Sequence, residues 1–153
     1  MDINGRGVFN LVLERKKVKI RKDSEIYSRK LGYIPRMSSV YLIYEEPLDG
    51  SSPINVYVGK TDTSLSKRFN GHISEIKRMV KGKKHWTVKY MWMKQAIRGK
   101  NRLKMELLSS VPKDVVYNVE KEWIMYFRLN GYNTFNKSNK KYYKNNYEDI
   151  IYK

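Results

Sequence analysis

Apolar residues in this chain recur with two different periods, and the change from one to the other marks out the elements. The runs SVYLIYEE (39–46) and INVYVGK (54–60) are dense in β-branched and aromatic residues, which favour a pleated, half-buried surface. Between them lies PLDGSSP, whose turn-forming residues predict an antiparallel hairpin closed by a long loop. Further on the period lengthens. Leu65, Phe69, Ile73, Ile76 and Val80 share one side of a helix that starts at a Thr63 or Ser64 cap and ends near Lys81. TVKYMWMKQAIR (87–98) predicts a second helix ended by Gly99. RLKMELLSSV (102–111) predicts a third strand stopped by Pro112, and residues 114–129 a third helix closed by Asn130 and Gly131. Near the start, VFNLVLERKKVKI (8–20) alternates well enough to predict one or two more strands.

This order of elements predicts an α+β fold, with a small central antiparallel β-sheet of about three strands flanked by helices. The 153 residues suffice for one domain with a proper core. Residues 39–136 form the expected domain, 1–38 a basic N-terminal extension packed on it, and 137–153 a polar, basic tail loosely held. No internal repeat interrupts this organisation.

Charge changes the picture. Lys and Arg number 32 against 15 Asp and Glu, a formal net charge of +17, and a polyanionic partner is the usual reason for such an excess. A genome rich in A and T would also enrich a chain in Lys, Ile, Asn and Tyr. The distribution is more telling than the total. Residues 66–104 carry thirteen basic side chains and one acidic one, whereas 39–65 and 105–136 are slightly acidic. A merely solvated surface would mix the signs more evenly, so the middle third predicts a face for phosphates. With no cysteine, disulfides and thiolate metal ligands are excluded. No apolar run approaches the ~20 residues of a membrane span. MDINGRGVFN lacks the apolar block of a signal peptide, so a soluble, cytoplasmic protein with no membrane partner is expected.

The tripeptide Gly59-Lys60-Thr61 invites comparison with a nucleotide-binding loop. Such a loop needs a glycine five residues before its Gly-Lys pair, and that position is Ile54. A β-branched residue cannot take the left-handed turn of the cradle, so this reading fails. Other residues fall into a pattern on the predicted elements. Tyr41 and Tyr57 lie on the paired strands, Arg68 and His72 are four apart on one helix face, and Glu120 sits on the last helix. Taken singly, each has a plain structural explanation as core filler, packing residue or solvated charge.

Taken together, they resemble a known family. From Ser39 onward the chain resembles the GIY-YIG endonucleases over residues 39–136. SVY (39–41) stands at the first motif and YVG (57–59) at the second. KTDTSLSKRFNGH is similar to the stretch that leads to the family's arginine and the histidine one turn later. EKEWIMYF (120–127) resembles the metal-binding segment, and GYNTFN (131–136) the closing asparagine motif. Asn133 fits one form of that last motif and is assigned to it; Asn136 fits the alternative form. Departures are Ser39 in place of the first glycine, a longer spacing between the tyrosines, and no recognisable DNA-specificity module after the core.

The resemblance implies a Mg²⁺- or Mn²⁺-dependent enzyme that hydrolyses phosphodiester bonds in DNA, of restriction or phage type. Arg68 would grip a phosphate bidentately with a charge it cannot lose. Glu120 would be the single protein ligand of the metal ion, and Tyr41, alone or with His72, the base that activates water. Tyr57 would position water or phosphate, while Lys60 and Asn133 would contact the substrate. An unperturbed tyrosine is a poor base at neutral pH, so cations nearby must favour its phenolate. One active site per chain would make a homodimer useful to a double-strand cutter. The alternative is a catalytically inactive nucleic-acid-binding protein of the same fold.

Overall fold

The structure, a computed structural model, describes residues 8–81 and 87–136. The predicted tail, 137–153, lies outside the described residues. The chain begins with helix α1 (Val8–Lys30), followed by strands β1 (Met37–Glu46) and β2 (Asn55–Thr61). Helices α2 (Leu65–Val80) and α3 (Val88–Arg98) come next, then strand β3 (Arg102–Pro112). A 3₁₀ turn over Lys113–Val115 leads into helix α4 (Val116–Leu129) and a short strand β4 (Asn133–Thr134).

The expected hairpin forms, with Tyr41 opposite Gly59 and Ile43 opposite Tyr57 across the β1–β2 pair. β3 joins the other edge of β1, also antiparallel, with an irregularity in register between Val40 and Tyr41. The sheet is mixed rather than purely antiparallel, because β4 adds a fourth strand parallel to β2 in the order β3-β1-β2-β4. Two residues are too few to show a period of two, which is why the pattern of apolar positions did not predict it.

The expectation of strands over residues 8–20 is overturned: the segment is the first half of a 23-residue helix. Neither Pro nor Gly occurs from Val8 to Lys30, and the run is rich in Lys, Arg and Glu, which lose little freedom in a helix. Leu13 and Ile20, two turns apart, are its buried apolar anchors. The rest of the inward stripe is polar by type. Lys16 pairs with Glu122 at 2.7 Å, Lys17 with Glu106 at 2.6 Å, and the Tyr27 hydroxyl donates to Asp114 at 2.7 Å. A search for apolar periodicity counts these positions as outward-facing and so misses the helix.

Strand alternation divides the core in two. Val40, Leu42, Val56 and Val58 point to one side, where Leu13 and Ile20 of α1 and Trp123, Ile124 and Phe127 of α4 cover them. Tyr41, Ile43 and Tyr57 point to the other side, beneath Ile76 and Met79 of α2 and Tyr90, Trp92 and Met93 of α3. The helices over this second face begin as anticipated. Ser64 caps α2 by accepting from the Lys67 N–H at 3.1 Å, and Thr87 caps α3 through Tyr90 N–H at 3.4 Å. Gly131 takes a positive φ of 84° after α4, the conformation that lets the chain turn back into β4. Among the described residues, no helix is long and apolar enough to cross a membrane.

Candidate active site

Tyr41 sits at the centre of the second face and is fully buried. Its ring lies across the neighbouring strand where that strand has no side chain. A Cβ added at Gly59 would stand 2.2 Å from the Tyr41 hydroxyl and ring, so glycine at 59 is required by close approach. The role of Gly59-Lys60-Thr61 is thereby structural at its first position: the glycine makes room for a tyrosine, on a strand.

The Tyr41 hydroxyl meets two side chains from one face of α2. His72 Nε2 is 2.8 Å away, and Arg68 Nε donates to the same oxygen at 3.3 Å. The four-residue spacing of Arg68 and His72 brings both to it. Tyr57 packs edge-on to His72, with ring centroids 5.7 Å apart, and its ring lies 6.3 Å from that of Tyr41. Four residues singled out in the sequence thus share one cluster. The remaining nitrogens of the Arg68 guanidinium have no hydrogen-bond or ion-pair partner among the described residues.

Two members of the cluster were not anticipated. Tyr90 of α3 places its hydroxyl 2.9 Å from His72 Nδ1, so the buried imidazole lies between two phenols. Lys89 rests over the rings of both Tyr57 and Tyr90, at 4.5 Å from each centroid. The sequence held only a weak signal for them, a polar pair at the start of an apolar helix. Besides the buried Trp92 and Met93, α3 is tethered to β1 by Glu45, whose carboxylate accepts from Trp92 Nε1 at 2.8 Å, Asn55 at 3.0 Å and Asn101. Burial would raise the Glu45 pKa, but Asn101, Asn55 and Trp92 together hold it below the usual range.

Burial sets the protonation of the cluster. It pushes the His72 pKa down to about 3, with Lys89 and Arg68 adding repulsion, so the imidazole is neutral at pH 7. One ring nitrogen then donates and the other accepts, which ties the two tyrosine hydroxyls into one directed chain. Burial also raises the Tyr41 pKa, against the opposing pull of Arg68, and raises that of Tyr57 strongly. Proton transfer from Tyr41 to His72 is disfavoured from both sides, because burial holds the phenol protonated and the imidazole unprotonated. Both groups are neutral in the protein alone.

Glu120 lies half-buried on α4, close enough for its charge to raise the pKa of Tyr41 and Tyr57. Burial raises its own pKa, and Lys60 pulls in the opposite direction. It has no hydrogen-bond or ion-pair partner among the described residues. Lys60 itself is exposed on β2. Asn133 stands apart from the cluster, exposed on β4 and donating to Asn55 at 3.0 Å. Asn136 is the buried one of the pair. Its side-chain amide accepts from Val58 N–H at 3.0 Å and donates to Val58 C=O, bracing β2 between Tyr57 and Gly59.

Comparison with protein-family models, curated proteins and solved structures finds no match for this chain.

Proposed function

We propose that the chain is a divalent-metal-dependent endonuclease of GIY-YIG type acting on DNA. One observation carries this reading: Tyr41, Tyr57, Arg68 and His72, drawn from three separate stretches of the chain, converge on one cluster, in which Tyr41, Arg68 and His72 are hydrogen-bonded and Tyr57 packs against Tyr41 and His72, with Glu120 in electrostatic reach. The free guanidinium nitrogens of Arg68 offer a fork for a phosphate and keep their charge at every working pH. Its Nε is committed to Tyr41, which fixes the direction of that fork.

Glu120 fits a magnesium or manganese site. A half-buried carboxylate with both oxygens uncommitted and a pKa held up by desolvation gains from a cation beside it. No group of three His, Cys, Asp or Glu side chains suited to a metal occurs among the described residues, so the ion would keep most of its waters, as magnesium prefers. When bound, the ion supplies positive charge that stabilises the phosphate oxygens as the bond breaks. Lys60 would contribute a second positive charge at the strand edge. His72, neutral and held by Tyr90, fixes the direction of the Tyr41 hydroxyl.

The full burial of Tyr41 favours a second reading, in which the cluster only supports Arg68 and the chain grips DNA without cutting it. Incubating supercoiled plasmid with the protein and Mg²⁺ separates the two. Cutting is expected, and Arg68→Ala should lose ~10²–10³-fold in rate, as removal of a charge-stabilising donor does. Glu120→Ala should abolish cutting while DNA binding survives. Undiminished cutting in EDTA and in Glu120→Ala would remove Glu120 from the mechanism. Tight binding with intact plasmid would leave the non-cutting reading.

A further inference from the structure

The outward side of α1 carries a charge pattern that the candidate active site does not use. With ~100° between successive residues, Arg15, Lys19, Lys22, Arg29 and Lys30 fall within an arc of roughly 100° on the helix surface. All five are exposed, and none has an ion-pair or hydrogen-bond partner among the described residues. Of the acidic residues, exposed Asp23 borders this arc, about 20° beyond Lys30, while Glu25 and Glu14 lie farther round on the other side, and Glu14 is engaged by Lys17 at 3.3 Å. Half-exposed Ile26 is the uncharged member of the stripe. From Arg15 to Lys30 the stripe is about 22 Å long at ~1.5 Å per residue. One strand of a duplex presents about six phosphates over that length.

The position of the stripe matters as much as its charge. α1 and α4 cover one face of the sheet, whereas the tyrosine–histidine cluster lies on the other face with α2 and α3. A straight duplex seated at Arg68 would not run along the outer side of α1. α1 is anchored to the sheet by Leu13, Ile20 and the pairs to Glu122, Glu106 and Asp114, so its opposite side, with the outer cations, faces away from the core. Self-repulsion among five unpaired cations disfavours the helix, and a polyanion laid along it relieves that repulsion.

We propose that the outer stripe of α1 is a second binding surface for the phosphate backbone of duplex DNA, so that one chain holds two DNA segments at once, one on each side of its sheet. The inference rests on the DNA-binding part of the proposed function, not on catalysis. Base readout is absent from it: lysines and arginines spread along a helix face contact backbone, which gives affinity without sequence preference.

The test is bridging. Short duplexes labelled with a donor or an acceptor dye are mixed with the full chain, whose oligomeric state is measured by sedimentation under the same conditions. Energy transfer between duplexes, with two duplexes bound per chain, is expected. The combined variant Arg15→Gln, Lys19→Gln, Lys22→Gln, Arg29→Gln and Lys30→Gln keeps good helix formers and should retain the native circular dichroism. It should bind one duplex per chain and lose the energy transfer. In wild type, the log–log salt slope of the second binding step should reach about −0.9 for each phosphate contact. Bridging that persists in the folded variant, or one duplex per wild-type chain, overturns the proposal. So does stripe-dependent binding to anionic lipid vesicles without DNA bridging, which would assign α1 to a membrane surface. Bridging without plasmid cutting defeats the nuclease reading and leaves this inference standing; cutting without bridging does the reverse.

Discussion

The two faces of the sheet are built from alternate residues of the same strands, yet they hold different chemistry. Under α1 and α4, Val40, Leu42, Val56 and Val58 meet Trp123, Ile124 and Phe127 in an apolar layer with little that can ionise. Under α2 and α3, the intervening positions are Tyr41, Ile43 and Tyr57, and they enclose an imidazole and touch a guanidinium. The first face gains stability from area removed from water. The second gives some of that up, because a buried His72 must stay neutral and a buried Tyr41 must keep its partners. One strand residue of offset separates a layer of apolar contacts from a layer built around hydrogen-bonded polar groups.

The largest expected effects test that division directly. Phe127→Ala, on the apolar side, should cost about 3–5 kcal/mol of stability, read from the shift in urea midpoint. Tyr41→Phe, on the polar side, should cost less, about 1–3 kcal/mol for the unpaired nitrogens it leaves. Its cleavage rate should fall by about 10²–10⁴-fold if the hydroxyl takes part in proton transfer. Equal stability losses with an unchanged cleavage rate in Tyr41→Phe would erase the distinction between the faces.

Acid should attack the polar face first. The His72 pKa is depressed from 6.5 to about 3 in the fold, so between those values the unfolded chain binds more protons than the folded one. Stability is therefore complete above about pH 6.5 and declines as the pH falls toward 3. Between pH 6.5 and 4.5 the loss from this one group should be about 2–3 kcal/mol. His72→Gln, unfolded with urea at both pH values, should show a correspondingly flatter dependence. An identical slope in variant and wild type would mean that His72 is not buried neutral.

The smallest expected effect belongs to Tyr90, which acts on the cluster only through His72. Tyr90→Phe removes one hydrogen bond, worth about 0.5–1.5 kcal/mol net, so the cleavage rate should fall by roughly tenfold or less. Nitrogen NMR of His72 provides the sharper readout, because loss of the Nδ1 partner should alter the tautomer balance while the Tyr41 contact remains. Unchanged ring-nitrogen shifts would show that Tyr90 packs beside the histidine without orienting it.

Much of this layout was legible along the chain. The hairpin, α2, α3 and β3 all follow from local patterns, and so does the cap at Ser64, because periodicity and capping are properties of neighbouring residues. The placement of Arg68 and His72 together needed nothing beyond a four-residue helical spacing. What tertiary structure decided was whatever depended on a distant partner. The inward face of α1 was hidden because Lys16, Lys17 and Tyr27 find Glu122, Glu106 and Asp114 across the fold, whereas residue type alone marked those positions as solvent-facing. Asn136 rather than Asn133 braces β2, through an amide that reaches Val58 from 78 residues away. Gly59 is obligatory because the Tyr41 ring lies against it across the β1–β2 pair. Tyr90 joins the site only when α3 is folded over the sheet and held by Glu45. The neutrality of His72 arises last of all, since desolvation is a property of the assembled core and no stretch of sequence contains it.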